Sequence, residues 1–263
     1  MNDTLKSCLC ACLDILGFSE VIERAYSQGK ETQLLEEISI ALTAATERLK
    51  SFCKQSPEFS VKLFTDNIVI GWEYFTNDAH VELQVLCDVL ADYQLKMVSK
   101  GYFVRGAISI GTLMMDDNLV FGDALLKAHR LEATQACNPR IIVDPKLEKV
   151  AVQSGSSSVS TGENFFKFHL MSDVDGYLFV NYLWAIYEWR YDAQHGHVLW
   201  PNEEKLQNHG KQIVQSLTAT RTDPRKWAKY FWVANYHNSY CERLGMKQHM
   251  INESLLRTQP VSL

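Results

Sequence analysis

The chain has 263 residues, of which 46% are hydrophobic and 22% charged, enough apolar material for a large core and not the composition of a disordered segment. A net charge of −5, with no cluster of Lys and Arg interleaved with aromatics, argues against a nucleic-acid partner. The opening run MNDTLKSCLCACLDILGF is too short to span a bilayer, is interrupted by Asp14 and lacks the flank and cleavage site of a secretion signal, so a cytoplasmic protein with no membrane span is expected.

Cys8 to Leu13 reads as a core strand ending at Asp14, with Gly17 breaking the pattern. Its alternation puts Cys8, Cys10 and Cys12 on one face as small buried hydrophobes. With Cys53, Cys87, Cys137 and Cys241 they form no C-x-x-C pair, which favours reduced thiols over a zinc site. From Glu31 to Gln55, residues Leu35, Ile38, Leu42, Ala45, Leu49 and Phe52 recur at spacings of three and four, the stripe of a helix lying on a sheet. Phe59–Phe64 and Ile68–Tyr74 read as a hairpin whose connection, Thr65-Asp66-Asn67, carries Asp66 at its tip. A helix over His80–Lys100 capped by Gly101, a strand over Tyr102–Ile110, a polar turn at Asp116-Asp117-Asn118, a helix from Gly122 to Glu132 and a strand at Arg140–Val143 follow.

The order β-α-β-β-α-β, then helix and strand, is the split βαβ arrangement of a ferredoxin-like α+β fold. Gln153–Gly162 is serine-rich and reads as a surface loop, followed by strands at Phe165–Leu170 and Tyr177–Tyr182. We expect a catalytic domain over 1–183 and, over 184–263, an aromatic-rich helical extension packed on it, with helices at Asn202–Thr220 and Pro224–Leu244.

In a split βαβ sheet, Asp14 at a strand end and Asp66 at a hairpin tip can lie side by side. Two adjacent carboxylates repel unless a divalent cation sits between them. By spacing alone, each could equally cap its own turn.

CLDILGFS (Cys12 to Ser19) resembles the first metal motif of class III nucleotidyl cyclases, and KLFTDNIVI (Lys62 to Ile70) resembles the second. VRGAISIG (Val104 to Gly111) and VFGDALLKAHRLEA (Val120 to Ala133) resemble the strand and helix that follow. Within that family, FTDNIVI, the compact FGDALLKAHRLEA segment and the tail KYFWVANYHN resemble the bacterial Pycsar cyclases, which make cyclic UMP or cyclic CMP on phage infection for a separately encoded effector.

The resemblance implies a homodimer with composite sites and two Mg²⁺ or Mn²⁺ ions per site, held by Asp14 and Asp66 with the carbonyl of Ile15 as a further ligand. Backbone N–H groups of Ile15 to Phe18 would cradle the triphosphate, with Gly17 permitting close approach. Arg130 matches the transition-state arginine, delivered from the other subunit. Lys127 shares a helix face with Asp123 and Arg130, whereas Leu126 stands where many cyclases carry an asparagine for the ribose. Lys62 matches a base-contacting lysine. Leu119 falls where adenylyl cyclases present an Asp to the adenine amine, which an apolar group cannot replace as acceptor. This argues against ATP and favours uracil, although Asp117 or Asn118 could reverse the choice toward cytosine. Arg105 is a second donor to the base or one partner of a structural ion pair. The expected reaction converts UTP to 3′,5′-cyclic UMP and pyrophosphate; cytidylate cyclase, adenylate cyclase and an inactive nucleotide-binding homologue are the alternatives.

Overall fold

The computed structural model describes residues 4–55, 58–64, 66–75, 79–116, 118–153 and 168–256. The chain forms two compact units, Met1–Met97 with Tyr102–Ala185, and Val98–Gly101 with Ile186–Leu263.

The first unit contains, in chain order, β1 (Lys6–Ile15), α1 (Phe18–Ser27), α2 (Glu31–Gln55), β2 (Phe59–Phe64), β3 (Asn67–Glu73), α3 (His80–Ser99), β4 (Val104–Met115), β5 (Val120–Phe121), α4 (Asp123–Thr134), β6 (Ile141–Val143), α5 (Pro145–Gln153), β7 (Leu170–Ser172) and β8 (Leu178–Val180). The main sheet runs β2-β3-β1-β4-β6-β8-β7. Its first four strands are antiparallel throughout, as a split βαβ repeat requires. β6 then adds parallel to β4, the pairing expected when a helix, here α4, connects two strands. The α+β architecture read from the sequence is the one observed.

Each face of β1 has its own cover. Leu9, Ala11, Leu13 and Ile15 are buried on one side, together with Ile68, Ile70, Val104 and Ile108 of the neighbouring strands. On that side the α3 residue Gln94 donates to the carbonyl of Val104 at 2.9 Å. On the other side Cys8, Cys10 and Cys12 cluster with Val69, Leu113, Ala124 and Ala128. The alanines let α4 approach closely enough for the Ser109 hydroxyl to donate to the Ala124 carbonyl at 2.6 Å. The alternating cysteines are thus small core residues, as expected.

Helix α2 has the limits its apolar stripe predicts, and the β2–β3 register closes at Phe64 and Asn67, with Asp66 in the turn beside it. Gly101, at φ +88°, ends α3 as its capping position requires. The expected strand at Phe165–Leu170 differs: 165–167 lie outside the described residues, Phe168 and His169 are helical, and β7 starts at Leu170. The serine-rich loop after residue 153 also lies outside the described residues.

The second unit holds a separate hairpin, β9 (Tyr187–Asp192) with β10 (Gly196–Pro201), and two helices, α6 (Glu203–Ala219) and α7 (Pro224–Arg243). Asn202 caps α6 by accepting from the Lys205 N–H, and Asp223 caps α7, with Pro224 just inside. Where the helices meet, the Nδ1 atoms of buried His209 and His237 lie 2.9 Å apart. No helix among the described residues is long and apolar enough to cross a membrane.

Candidate active site

The strand register builds the site. Asp14 pairs with Asn67 on β3 and with Arg105 on β4, so Asn67, Asp14 and Arg105 stand in one row across the sheet. Because side chains alternate, Asp14 shares the α4 face with Cys12, Lys62 and Arg105. Asp66 enters beside this row from the hairpin turn, and the Asn67 side chain donates to its Oδ1 at 3.0 Å.

The Asp14 carboxyl senses its neighbours. Burial pushes the Asp14 carboxyl above its usual range, Arg105 draws it back down, and both the charge and the hydrogen-bonding proximity of Asp66 push it up again. Arg105 donates from Nε to Asp14 Oδ2 at 2.8 Å. Its Nη2 lies 2.9 Å from Oε1 of Glu132, an ion pair that falls short of hydrogen-bond alignment. The Glu132 side chain is 6% exposed, against 18% for Asp14 and 25% for Arg105. Burial raises the Glu132 carboxyl, Arg105 lowers it, and the Asp14 charge raises it further.

Glu132 was not among the residues the sequence singled out. Its signal is positional: Ala124, Ala128 and Glu132 fall at successive spacings of four on the inward face of α4, where a carboxylate is tolerated only with a partner. Arg105, read as a donor to the base or as an ion-pair partner, is committed to these two carboxylates.

The remaining residues do not converge on Asp14 within one chain. Lys62 is two residue rows and two strands away, roughly 12 Å by standard sheet spacings, and its charge reaches Asp116. Leu119 is 51% exposed at a turn in which Asp116 Oδ1 accepts from the N–H groups of Asn118 and Leu119. Asp117 lies outside the described residues. Lys127 pairs with Asp123 and donates to the Ile110 carbonyl at 3.1 Å, five residues along β4 from Arg105, or roughly 17 Å. Arg130 is exposed and sits about 200° around the helix from Glu132, directed away from Asp14. Leu126 is also exposed, at 57%.

Gly17 adopts φ +73° at the start of α1 with nothing within 4 Å of a notional Cβ. Ile15 and Phe18 on either side are buried. The Leu16 N–H is spent on the Phe103 carbonyl at 2.8 Å, which removes it from the expected Ile15–Phe18 cradle.

The donor chemistry fits a divalent cation. Asp14, near the end of β1, and Asp66, in the β2–β3 turn, are hard oxygen donors, and no group of three or more His, Cys, Asp or Glu side chains forms a cage among the described residues. Mg²⁺ is commonly bound in this way, through one or two carboxylates with substrate phosphate and water completing its shell.

No family model and no curated protein matches the sequence. Solved structures similar to it include a bacterial light-regulated adenylyl cyclase, at 15% identity, covering 68% of this chain and 92% of that one, with a TM-score of 0.43. The guanylyl cyclase Cya2 is similar at 10% identity, covering 76% and 93%, with a TM-score of 0.42. The guanylyl cyclase domain of the RhoGC fusion protein from the aquatic fungus Blastocladiella emersonii is similar at 15% identity, covering 66% and 93%, also at 0.42.

Proposed function

We propose that this chain is a nucleotidyl cyclase acting on a pyrimidine triphosphate, converting UTP to 3′,5′-cyclic UMP and pyrophosphate as an antiphage signal. The observation that carries the reading is the Asp14–Asp66 pair, set side by side by the β1–β3 register and the β2–β3 turn. The cyclase-like motifs that contain both residues support it.

Asp14 and Asp66 would hold Mg²⁺ or Mn²⁺, with the Ile15 carbonyl as a further ligand. Such ions, when bound, neutralise the triphosphate and ease ionisation of the ribose 3′-hydroxyl that attacks the α-phosphorus. The first-turn N–H groups of α1 have no intrahelical partner and suit a phosphate oxygen; Gly17 and Phe18 supply them, since Leu16 does not. Lys62, on the same face as Asp14, supplies a donor for the uracil O4. Leu119 offers no acceptor for an exocyclic amine.

Arg130, exposed and directed away from its own Asp14, is assigned to the site of a second copy. Exposed Phe64, Leu119, Phe121 and Leu126 give this unit the apolar surface that such a homodimer would cover. The product would be read by a separately encoded effector.

Purified protein incubated with each ribonucleoside triphosphate and Mn²⁺, with products identified by mass spectrometry, tests the proposal. Cyclic UMP as the main product is the expected result. Cyclic CMP or cyclic AMP would keep the cyclase and overturn the base assignment, and no cyclic product from any triphosphate would overturn the activity.

A further inference from the structure

Arg105 stands between two carboxylates of different burial. Its Nε donates to Asp14 at 2.8 Å, and its Nη2 is paired at 2.9 Å with Glu132, the more buried of the two. An undivided guanidinium would sit bidentately on Asp14, the arrangement arginine and carboxylate favour, and would occupy the oxygens a cation needs. Here the second nitrogen is turned toward Glu132 on α4 instead. With His129, 3.7 Å from Glu132, in its neutral form, Asp14, Asp66 and Glu132 against one arginine leave two negative charges, enough to balance one divalent cation before nucleotide binds.

We propose that Glu132 is a positioning residue that acts through Arg105, holding the guanidinium off one oxygen of Asp14 and thereby setting the affinity of the aspartate pair for a divalent cation. The inference rests on the reading that Asp14 and Asp66 bind such a cation. It extends that reading to a buried acidic residue on α4, which is joined to Asp14 through the arginine.

The consequences have opposite signs. Glu132→Gln removes a negative charge and releases Arg105 to close on Asp14, so Mn²⁺ binding weakens, by roughly ten- to a hundredfold if Glu132 acts like other outer residues that orient metal ligands. Arg105→Gln removes the competing cation, so Mn²⁺ binding tightens. The double variant Arg105→Gln/Glu132→Gln restores the formal charge of the native cluster, so binding returns to within a few-fold of wild type. A purely structural ion pair predicts otherwise: both single variants weaken binding and the double is no better than either.

Mn²⁺ alone is the probe, titrated into the full chain without nucleotide and followed by the electron paramagnetic resonance of free Mn²⁺ and by water-proton relaxation. Circular dichroism checks that each variant is folded. Weaker binding in Glu132→Gln with recovery in the double variant supports the inference. Should Arg105→Gln fail to fold because Glu132 is left buried and unpaired, the comparison of Glu132→Gln with the double variant still decides. Unchanged affinity in Glu132→Gln, with binding that Asp14→Asn abolishes, overturns the role of Glu132 and leaves the metal site standing. Wild-type binding that Asp14→Asn and Asp66→Asn do not alter overturns both.

Discussion

Gly106 lies one residue beyond Arg105 on β4, opposite Leu13, and an added methyl group there has no room. Its Cβ would come 2.6 Å from the Cys12 carbonyl oxygen, 2.6 Å from Leu13 Cδ2 and 3.2 Å from Leu13 Cα. Leucine can change rotamer, but the carbonyl belongs to the backbone of β1 and moves only with the strand. Overpacking costs about 1–3 kcal/mol, and a backbone obstacle places Gly106→Ala at the top, about 3 kcal/mol. At about 2–4 °C per kcal/mol for a unit of this size, the melting temperature falls by about 6–12 °C. Gly29 is the control: it has φ +62° and nothing within 4 Å of a notional Cβ, so Gly29→Ala costs only the left-handed backbone penalty of about 1–2 kcal/mol. Thermal unfolding, with hydrogen exchange of the β1 and β4 amides to localise the loss, measures both. Gly106→Ala proving no more costly than Gly29→Ala would refute the claim that β1 and β4 are fixed in the approach that sets Arg105 beside Asp14.

The second unit should lose stability on mild acidification. Burial lowers the pKa of both His209 and His237, and the neighbouring imidazole lowers that of His209 further. Below the unfolded histidine value of about 6.5, the unfolded chain therefore takes up protons that the native pair refuses, and stability falls as pH drops; melting followed between about pH 7.5 and 5.5 should show this, with a shallower slope in His209→Gln. Arg140, 1% exposed, holds Asp173 and Asp175 of the β7–β8 turn; because both carboxylates reach solvent, Arg140→Met should destabilise the first unit by about 1–3 kcal/mol, the worth of the charged hydrogen bonds lost, read by denaturant titration and by exchange in β7 and β8. Among the cysteines whose burial is described, thiol labelling of the native protein should find exposed Cys137 first. Burial pushes Cys8 to about 11 and Cys12 to about 12, so both should react only on unfolding. Mixing Asp66→Ala with Arg130→Ala protein should restore part of the cyclase activity if sites are shared between chains; no rescue in a verified mixed dimer would contradict the sharing.

The sequence carried the first four strands and the long helices because their apolar spacings are regular. Helix α2 has a six-residue stripe, and the β2–β3 turn is marked by a polar pair. Helix α1 went unread because it is short and follows Gly17 directly. The β9–β10 hairpin was obscured by exposed aromatics and by a turn, Ala193 to His195, without the usual Asn-Gly signal. There Asp192 accepts from the Gln194 and His195 N–H groups, and Gly196 takes φ +74°. For the site, the row holding Asp14 and Arg105 follows from alternation once the sheet order is known. What spacing could not supply was which carboxylates Arg105 would join, because that depends on the depth at which α4 packs, and hence on Ala124 and Ala128.

Product formation by Asp14→Asn and Asp66→Asn, each shown by circular dichroism to be folded, is to be measured beside the wild-type protein with UTP and Mn²⁺. The wild type is expected to give cyclic UMP and pyrophosphate, and each variant to lose both products. Cyclic nucleotide synthesis that survives both substitutions would contradict the role given to Asp14 and Asp66.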